Sequence, residues 1–301
     1  MKKSKSAWES KLVLLLVLPF VGADVVLEAH WWATQNLQVA EWTVGLSALL
    51  GLATWQMRAA TPWGAAAGAG ITASLMFSTA VFPYLPWRTA LVPVLAVSLL
   101  AFLATRAGRG RKEDLGTAES RRGRGAAQIA ANLGAATIVS SAFVQSWFID
   151  SKWIPAATNN PALVLTAGLA ALAEAAADTA SSELGQVFAG SPRMITTLRR
   201  VEAGRDGAVS LVGSAVGMAA AVIVAAAGTF ALRGNAPMFW ISAAGGVFGL
   251  FFDSLLGATL EEAGWLNNDM VNFLSTGSAA VFALGLLALF SLPGMPIRLG
   301  P

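Results

Sequence analysis

The chain has 301 residues, of which 55% are hydrophobic and only 12% charged, with a net charge of +3 and a mean hydropathy of +0.62. A soluble globular domain carries about 25% charged residues, so this composition excludes an ordinary water-soluble enzyme and fits a chain whose backbone polar groups are satisfied inside helices in lipid. With no Cys, disulfides, thiolate ligands and cysteine nucleophiles are excluded; with one His, so is a histidine-rich metal site. The small net charge gives no reason to expect a nucleic-acid partner.

Apolar segments run over 12–29, 40–57, 63–82, 89–105, 126–149, 161–184, 210–232, 238–258 and 271–291. They predict an all-α, polytopic membrane protein of about nine transmembrane helices. The first segment follows Lys2, Lys3, Lys5 and Lys11 but lacks a small-residue cleavage site, and Asp24 and Glu28 interrupt its end. It therefore reads as a retained signal-anchor helix. The sequence divides into an anchor helix (1–38), N-terminal membrane helices (39–105), a basic cytoplasmic linker (106–125) and C-terminal membrane helices carrying polar motifs (126–301).

Lys and Arg are retained on the cytoplasmic side of short loops, which places the N-terminus inside. Nine spans then put 16 of the 20 basic residues inside; only Arg88, Lys152, Arg233 and Arg298 fall outside. The linker, with seven of the inner charges from Arg106 to Arg124, has a solvated composition suited to anionic headgroups. The second inner loop, 189–210, mixes Arg, Thr, Ser and Gly and is too long for a mere turn.

Four polar constellations interrupt the apolar sequence at this inner face. Gln128 and Asn132 are four apart and share a helix face. Glu174, Asp178, Ser181 and Ser182 line another, with Glu183 out of phase as a loop partner or second metal ligand. Asp253 sits inside an apolar run, and Asp269, Asn272 and Thr276 share a further face, where Asp269 could also be a helix cap. Carboxylates within a span usually mark a site or a paired structural charge. With the loop arginines Arg193, Arg199, Arg200 and Arg205 opposite, they form an inventory for phosphate and Mg²⁺, a metal that bridges protein carboxylates to substrate phosphates. Walker-type, GxGxxG and HExxH motifs are missing, so a nucleotide site would have to be built between membrane helices. The pairs Gly64/Gly68, Gly213/Gly217 and Gly245/Gly249 have helix-packing spacing. Trp31, Trp32, Trp42, Trp87, Trp147 and Trp153 fall near outer helix ends, as interfacial anchors do.

The motifs RAATPWGAAAG (58–68), ADTASSELG (177–185), PRMITT (192–197), GAVSLVG (207–213), DSLLGAT (253–259) and NDMVNFLST (268–276), with the Gln128/Asn132 block, carry a resemblance. Over about residues 40–291 the chain is similar to the domain of unknown function 92 family, also called the transmembrane protein 19 family, which includes phytyl-phosphate kinases. The resemblance implies a kinase converting a prenyl monophosphate such as phytyl phosphate to the diphosphate, with CTP as donor. In that reading Asp178, Asp253 and Asp269 hold Mg²⁺ and the nucleotide phosphates, and Arg193, Arg199 and Arg200 grip the phosphoryl-bearing substrates. Gln128, Asn132, Asn268 and Asn272 orient oxygens, and Glu183, Thr196, Thr197 and Ser210 join the donor-binding set. The chain departs from the family at Arg205 to Ala208, where Thr and paired Gly are common, at Ala180, where Trp is frequent, and at Glu261, near a usual Gln. The expected location is a bacterial plasma membrane, the site facing the cytoplasm. A secondary transporter of an anionic solute, or a prenyl-alcohol kinase or cytidylyltransferase, stays open as an alternative.

Overall fold

The computed structural model describes residues 7–152, 161–188 and 190–291; Lys2, Lys3, Lys5, Trp153 and Arg298 lie outside the described residues. Each of the nine apolar segments is helical. The helices are α1 (Ala7–Gln35), α2 (Leu37–Gln56), α3 (Pro62–Ser78), α4 (Leu91–Arg106), α5 (Arg109–Leu115), α6 (Ala126–Ser140), α7 (Ala142–Ser151), α8 (Leu165–Phe188), α9 (Leu211–Ala231), α10 (Ala236–Leu256) and α11 (Asn268–Phe290). Their starts follow from capping chemistry. Thr61, Ser210, Asn235 and Asn267 each accept a backbone N–H three residues on, at 3.0–3.1 Å, and Pro62 opens α3 where its missing N–H costs nothing.

Among the described residues, five helices are long and apolar enough to cross a membrane, or up to seven if the bent pairs α4–α5 and α6–α7 each form one span. The expected nine is therefore not reached on length and composition. Two helices account for the difference: α3 has only 17 residues, and α8 carries Glu174, Asp178 and Glu183. Apolar side chains such as Leu15, Leu27, Leu49, Leu99, Ile223 and Val281 stand exposed around the bundle. Exposed apolar surface on this scale marks a face that meets lipid or protein.

The acids of α8 are tolerable because that helix is the central pillar, packed by α4, α6, α9, α10 and α11. Its alanines, Ala167 to Ala177 among them, are buried, and small side chains let neighbours approach. A Cβ on Gly217 would lie 2.9 Å from Ala177 O; one on Gly245 would lie 2.8 Å from Ala170 Cβ, and one on Gly246 would lie 2.8 Å from Ala173 Cβ. Helix α1 is built in as well: Val13, Val17 and Val21 are buried, and Gly134 of α6 closes on Val17. Ser10 near its start donates to Asp269 Oδ2 at 2.6 Å, so α1 begins at the end of the bundle where α11 begins. Trp31, Trp42, Trp87 and Trp147 are exposed toward the opposite end.

Candidate functional site

The polar segments converge at that same end. Helix α8 runs into the second loop, which folds into a short antiparallel pair, β1 (Arg193–Met194) with β2 (Ala208–Val209), before Ser210 caps α9. Helix α10 ends in a π-helical turn, Gly257–Glu261, an irregularity frequent at functional sites. The loop reaches it through Gly207, whose φ of +74° and close approach to Ala258 leave no room for a side chain. Together these elements enclose a polar cavity of about 250 Å³.

Asp178, Glu183, Ser210, Asp253, Asn268, Asn272, Gln128 and Asn132 all line it, eight of the residues singled out from sequence, from four different helices and one cap. Asp178 and Asp253 face each other within hydrogen-bonding reach. Glu174, one turn deeper on α8, is 1% exposed and neighbours both. Asp253 Oδ2 and Glu174 Oε1 are buried without a hydrogen-bond partner. Buried carboxylates held together are costly unless a cation or donor compensates them.

The two amides of α6 are locally fixed. Gln128 Oε1 accepts the Gly125 N–H at 2.8 Å, and Asn132 Nδ2 donates to Gln128 O at 2.7 Å. Gln128 Nε2 in turn donates to Glu119 Oε2 at 3.2 Å.

Other sequence candidates sit elsewhere. Arg193, Thr196, Thr197, Arg199 and Arg200 are exposed and do not line the cavity. Strand pairing of Arg193 with Val209 turns this loop tip outward, and the Arg193 guanidinium donates to Leu198 O at 2.8 Å. Asp269 lies outside the lining because it accepts from Ser10, while Asn267, not Asp269, caps α11. Among the described residues no group of three or more His, Cys, Asp or Glu side chains is arranged to hold a metal ion. The acids that do meet across the cavity are Asp178 and Asp253.

Three charged residues of the linker belong here, though its composition reads as solvated. Arg124 is half-buried, lines the cavity and exerts its charge on Asp178. It is pinned by main-chain bonds, Arg124 N–H to Ala59 O and Thr61 N–H to Arg124 O, both 2.9 Å. Gly123, at φ +82°, and Gly64 give the two strands room to touch. Glu119 lines the same wall. Lys112 is fully buried, with Nζ 2.6 Å from Glu183 Oε2 and 2.7 Å from Ala104 O. Glu183 is thus engaged by an ammonium.

Fold and cavity define a polytopic helical membrane protein with a converging acid, amide and arginine site at one end of the bundle. The chain belongs to the family described as integral membrane protein DUF92, whose model matches residues 45–280. It is 40% identical over 108 residues to an uncharacterized membrane protein of Methanocaldococcus jannaschii, covering 36% of this chain and 45% of that one. It is 31% identical over 235 residues to an uncharacterized membrane protein of Synechocystis, covering 76% and 83% respectively. It is 26% identical over 222 residues to Arabidopsis thaliana protein VTE6, chloroplastic, covering 71% and 65%. The chain thus spans less than half of the archaeal relative it matches. No solved structure matches.

Proposed function

We propose that this chain is a membrane kinase transferring a phosphoryl group from a nucleoside triphosphate, CTP in the first instance, to a prenyl monophosphate such as phytyl phosphate. The observation that supports this reading is the facing pair Asp178 and Asp253, with an orphaned Oδ2, set opposite Arg124 in one small polar cavity. Membership in a family that includes phytyl-phosphate kinases supports it further.

An acceptor phosphomonoester has its second pKa near 6, so it is largely a dianion at neutral pH and attacks without surrendering a proton. A phosphate oxygen of the acceptor bonds to the terminal phosphorus of the donor, and the bond from that phosphorus to the bridging oxygen breaks. The nucleoside diphosphate leaves with the electron pair. No general base is required, in keeping with the absence of a histidine from the cavity. Catalysis then rests on positioning and charge neutralisation.

Asp178 and Asp253 fit a divalent cation, since one guanidinium, Arg124, faces two carboxylates, Asp253 Oδ2 has no hydrogen-bond partner, and Mg²⁺ commonly takes one or two carboxylates, completing its shell with water and phosphate. When bound, Mg²⁺ would neutralise charge on the donor phosphates. Arg124 supplies a guanidinium for the transferring group. Asn132, Asn268 and Asn272 offer amide donors that orient phosphate oxygens. The site would face the cytoplasm of a bacterial plasma membrane, where nucleoside triphosphates are available.

The test is purified protein in lipid with terminally labelled CTP or ATP and either prenyl monophosphate or prenyl alcohol. Label appearing in a prenyl diphosphate, and only from the monophosphate, is the expected result. Asp178→Asn and Asp253→Asn should each lower turnover by about a hundredfold or more, an electrostatic loss of roughly 3 kcal/mol. Product from alcohol, or near-normal turnover in both variants, overturns the proposal.

A further inference from the structure

Behind the Arg124–Gln128–Asn132 wall lies a second, larger cavity of about 670 Å³, which shares those three residues and Glu119 with the polar one. Its body is apolar, walled by Leu50, Val94, Val97, Phe102, Ile129 and Leu133. Its rim is net cationic: Arg58, Arg106, Arg109, Arg121 and Arg124 gather at the linker end with Glu113 and Glu119, and Arg109 and Arg121 both pair with Glu113. Helices α2 and α4 face each other across it, α2 packing on α3 and α1, α4 on α8 and α9. An apolar body under a rim in which five arginines outweigh two glutamates is complementary to an amphiphile with a phosphate head.

Two independent measures size the occupant. Helix α4 lines the cavity from Val94 to Arg106, a rise of about 18 Å at ~1.5 Å per residue. An extended chain advances ~1.2 Å per bond, so a four-bond isoprene unit takes about 5 Å and between three and four units fit. By volume, at roughly 30 Å³ per heavy atom, the share of a liquid water, 670 Å³ holds about twenty heavy atoms. Less a phosphate, that is again between three and four isoprene units. A two-chain phospholipid needs about twice the space on the same scale.

The glycines of the wall differ in what they touch. A Cβ on Gly51 would lie 2.9 Å from Ala65 O, and one on Gly64 would overlap Arg124 O, so both are packing glycines. A Cβ on Gly68 would meet only Ile129 Cγ2, at 3.8 Å, and Gly68 lines the cavity. Its open face is chamber, not helix contact.

We infer that this chamber seats the hydrocarbon chain of a single-chain prenyl phosphate, with its phosphate drawn to the arginine rim and Gly68 setting the length of chain admitted. The inference rests on the kinase reading for what happens at the phosphate, but not for where the chain lies.

The test uses the full chain in lipid and a farnesyl-length monophosphate bearing a terminal diazirine. Photolabel should enter segments 50–72 and 94–106, be competed by geranylgeranyl monophosphate, and be lost in Gly68→Phe and in Ala101→Phe on the opposite wall. In both variants the ratio of kcat/KM for farnesyl over dimethylallyl monophosphate should fall by about tenfold or more, the equivalent of ~1.4 kcal/mol. Label elsewhere in the chain, label persisting in both variants, or equal competition by phosphatidic acid overturns the assignment. Labelling of the chamber without phosphoryl transfer would remove the kinase reading and leave the chamber standing. Transfer to farnesyl monophosphate with label elsewhere would do the reverse.

Discussion

Replacing Lys112 with Met removes an ammonium that is fully buried and held by three oxygens: Glu183 Oε2 at 2.6 Å, Ala104 O at 2.7 Å and Thr105 O at 3.2 Å. The two carbonyls belong to the last turn of α4, where no intrahelical donor reaches them. The variant therefore strands a carboxylate and uncaps a helix together. Removing one partner of a buried pair costs ~3–5 kcal/mol. Glu183 keeps 13% exposure of its side chain, which places the expected loss at the lower end, about 3 kcal/mol. Lys112→Met with Glu183→Gln no longer strands a charge and should recover more than half of that loss. The assay is reversible denaturation in detergent micelles of wild type, both single variants and the double variant, read as a double-mutant cycle. A coupling energy of ~2 kcal/mol is expected. If Lys112→Met stays within about 1 kcal/mol of wild type, or the coupling is near zero, the linker is not anchored by this pair and the reasoning fails.

Asp269→Ala should destabilise by about 1.5 kcal/mol through loss of the charge-assisted bond from Ser10, while phosphoryl transfer changes far less than in Asp178→Asn; denaturation and kinetics on one preparation separate the two effects. Gly207→Ala forces a side chain into a φ of +74° against Ala258, at a cost of about 1–2 kcal/mol for the backbone conformation alone with the clash added to it, and should raise the KM for donor because the loop no longer seats on the π turn; a donor KM equal to wild type would contradict this. Hydrogen bonds from Arg109 and then Arg121 hold Glu113 below its ordinary carboxylate value of 4.5. A carboxylate lowered on folding contributes fully above its ordinary value and loses that contribution as pH falls through the lowered one. Limited proteolysis of the linker should therefore accelerate only below pH 4.5 in wild type, and Glu113→Gln should be cleaved at a rate that no longer changes across that range.

Helices were legible because long apolar runs are a local signal, and so were the amide and acid faces, since Gln128/Asn132 and Glu174/Asp178 are set by helical phase alone. What escaped was tertiary. The linker reads as solvated because its charges are dense, yet left-handed turns at Gly108, Gly116 and Gly123 fold it back so that Lys112 and Arg124 point inward. Three of the four loop arginines go the opposite way: Arg193, Arg199 and Arg200 have the right chemistry but stand exposed and away from the cavity, whereas Arg205 lines it. Asp269 was claimed by Ser10, 259 residues away in sequence, a partner that no local pattern reveals. Length and hydropathy stop short of nine spans because α8 owes its place to enclosure by neighbours, and hydropathy measures only tolerance of lipid.

Arg124, Gln128 and Asn132 form a wall with a cavity on either side. A single guanidinium cannot lean both ways, so an occupant that pulls Arg124 toward itself resets the affinity of the opposite compartment. Linkage makes that influence equal in the two directions. Whatever factor a ligand on the apolar side imposes on binding at the acid side, the acid-side ligand must return, and one mobile cation would suffice to make loading of the two halves interdependent.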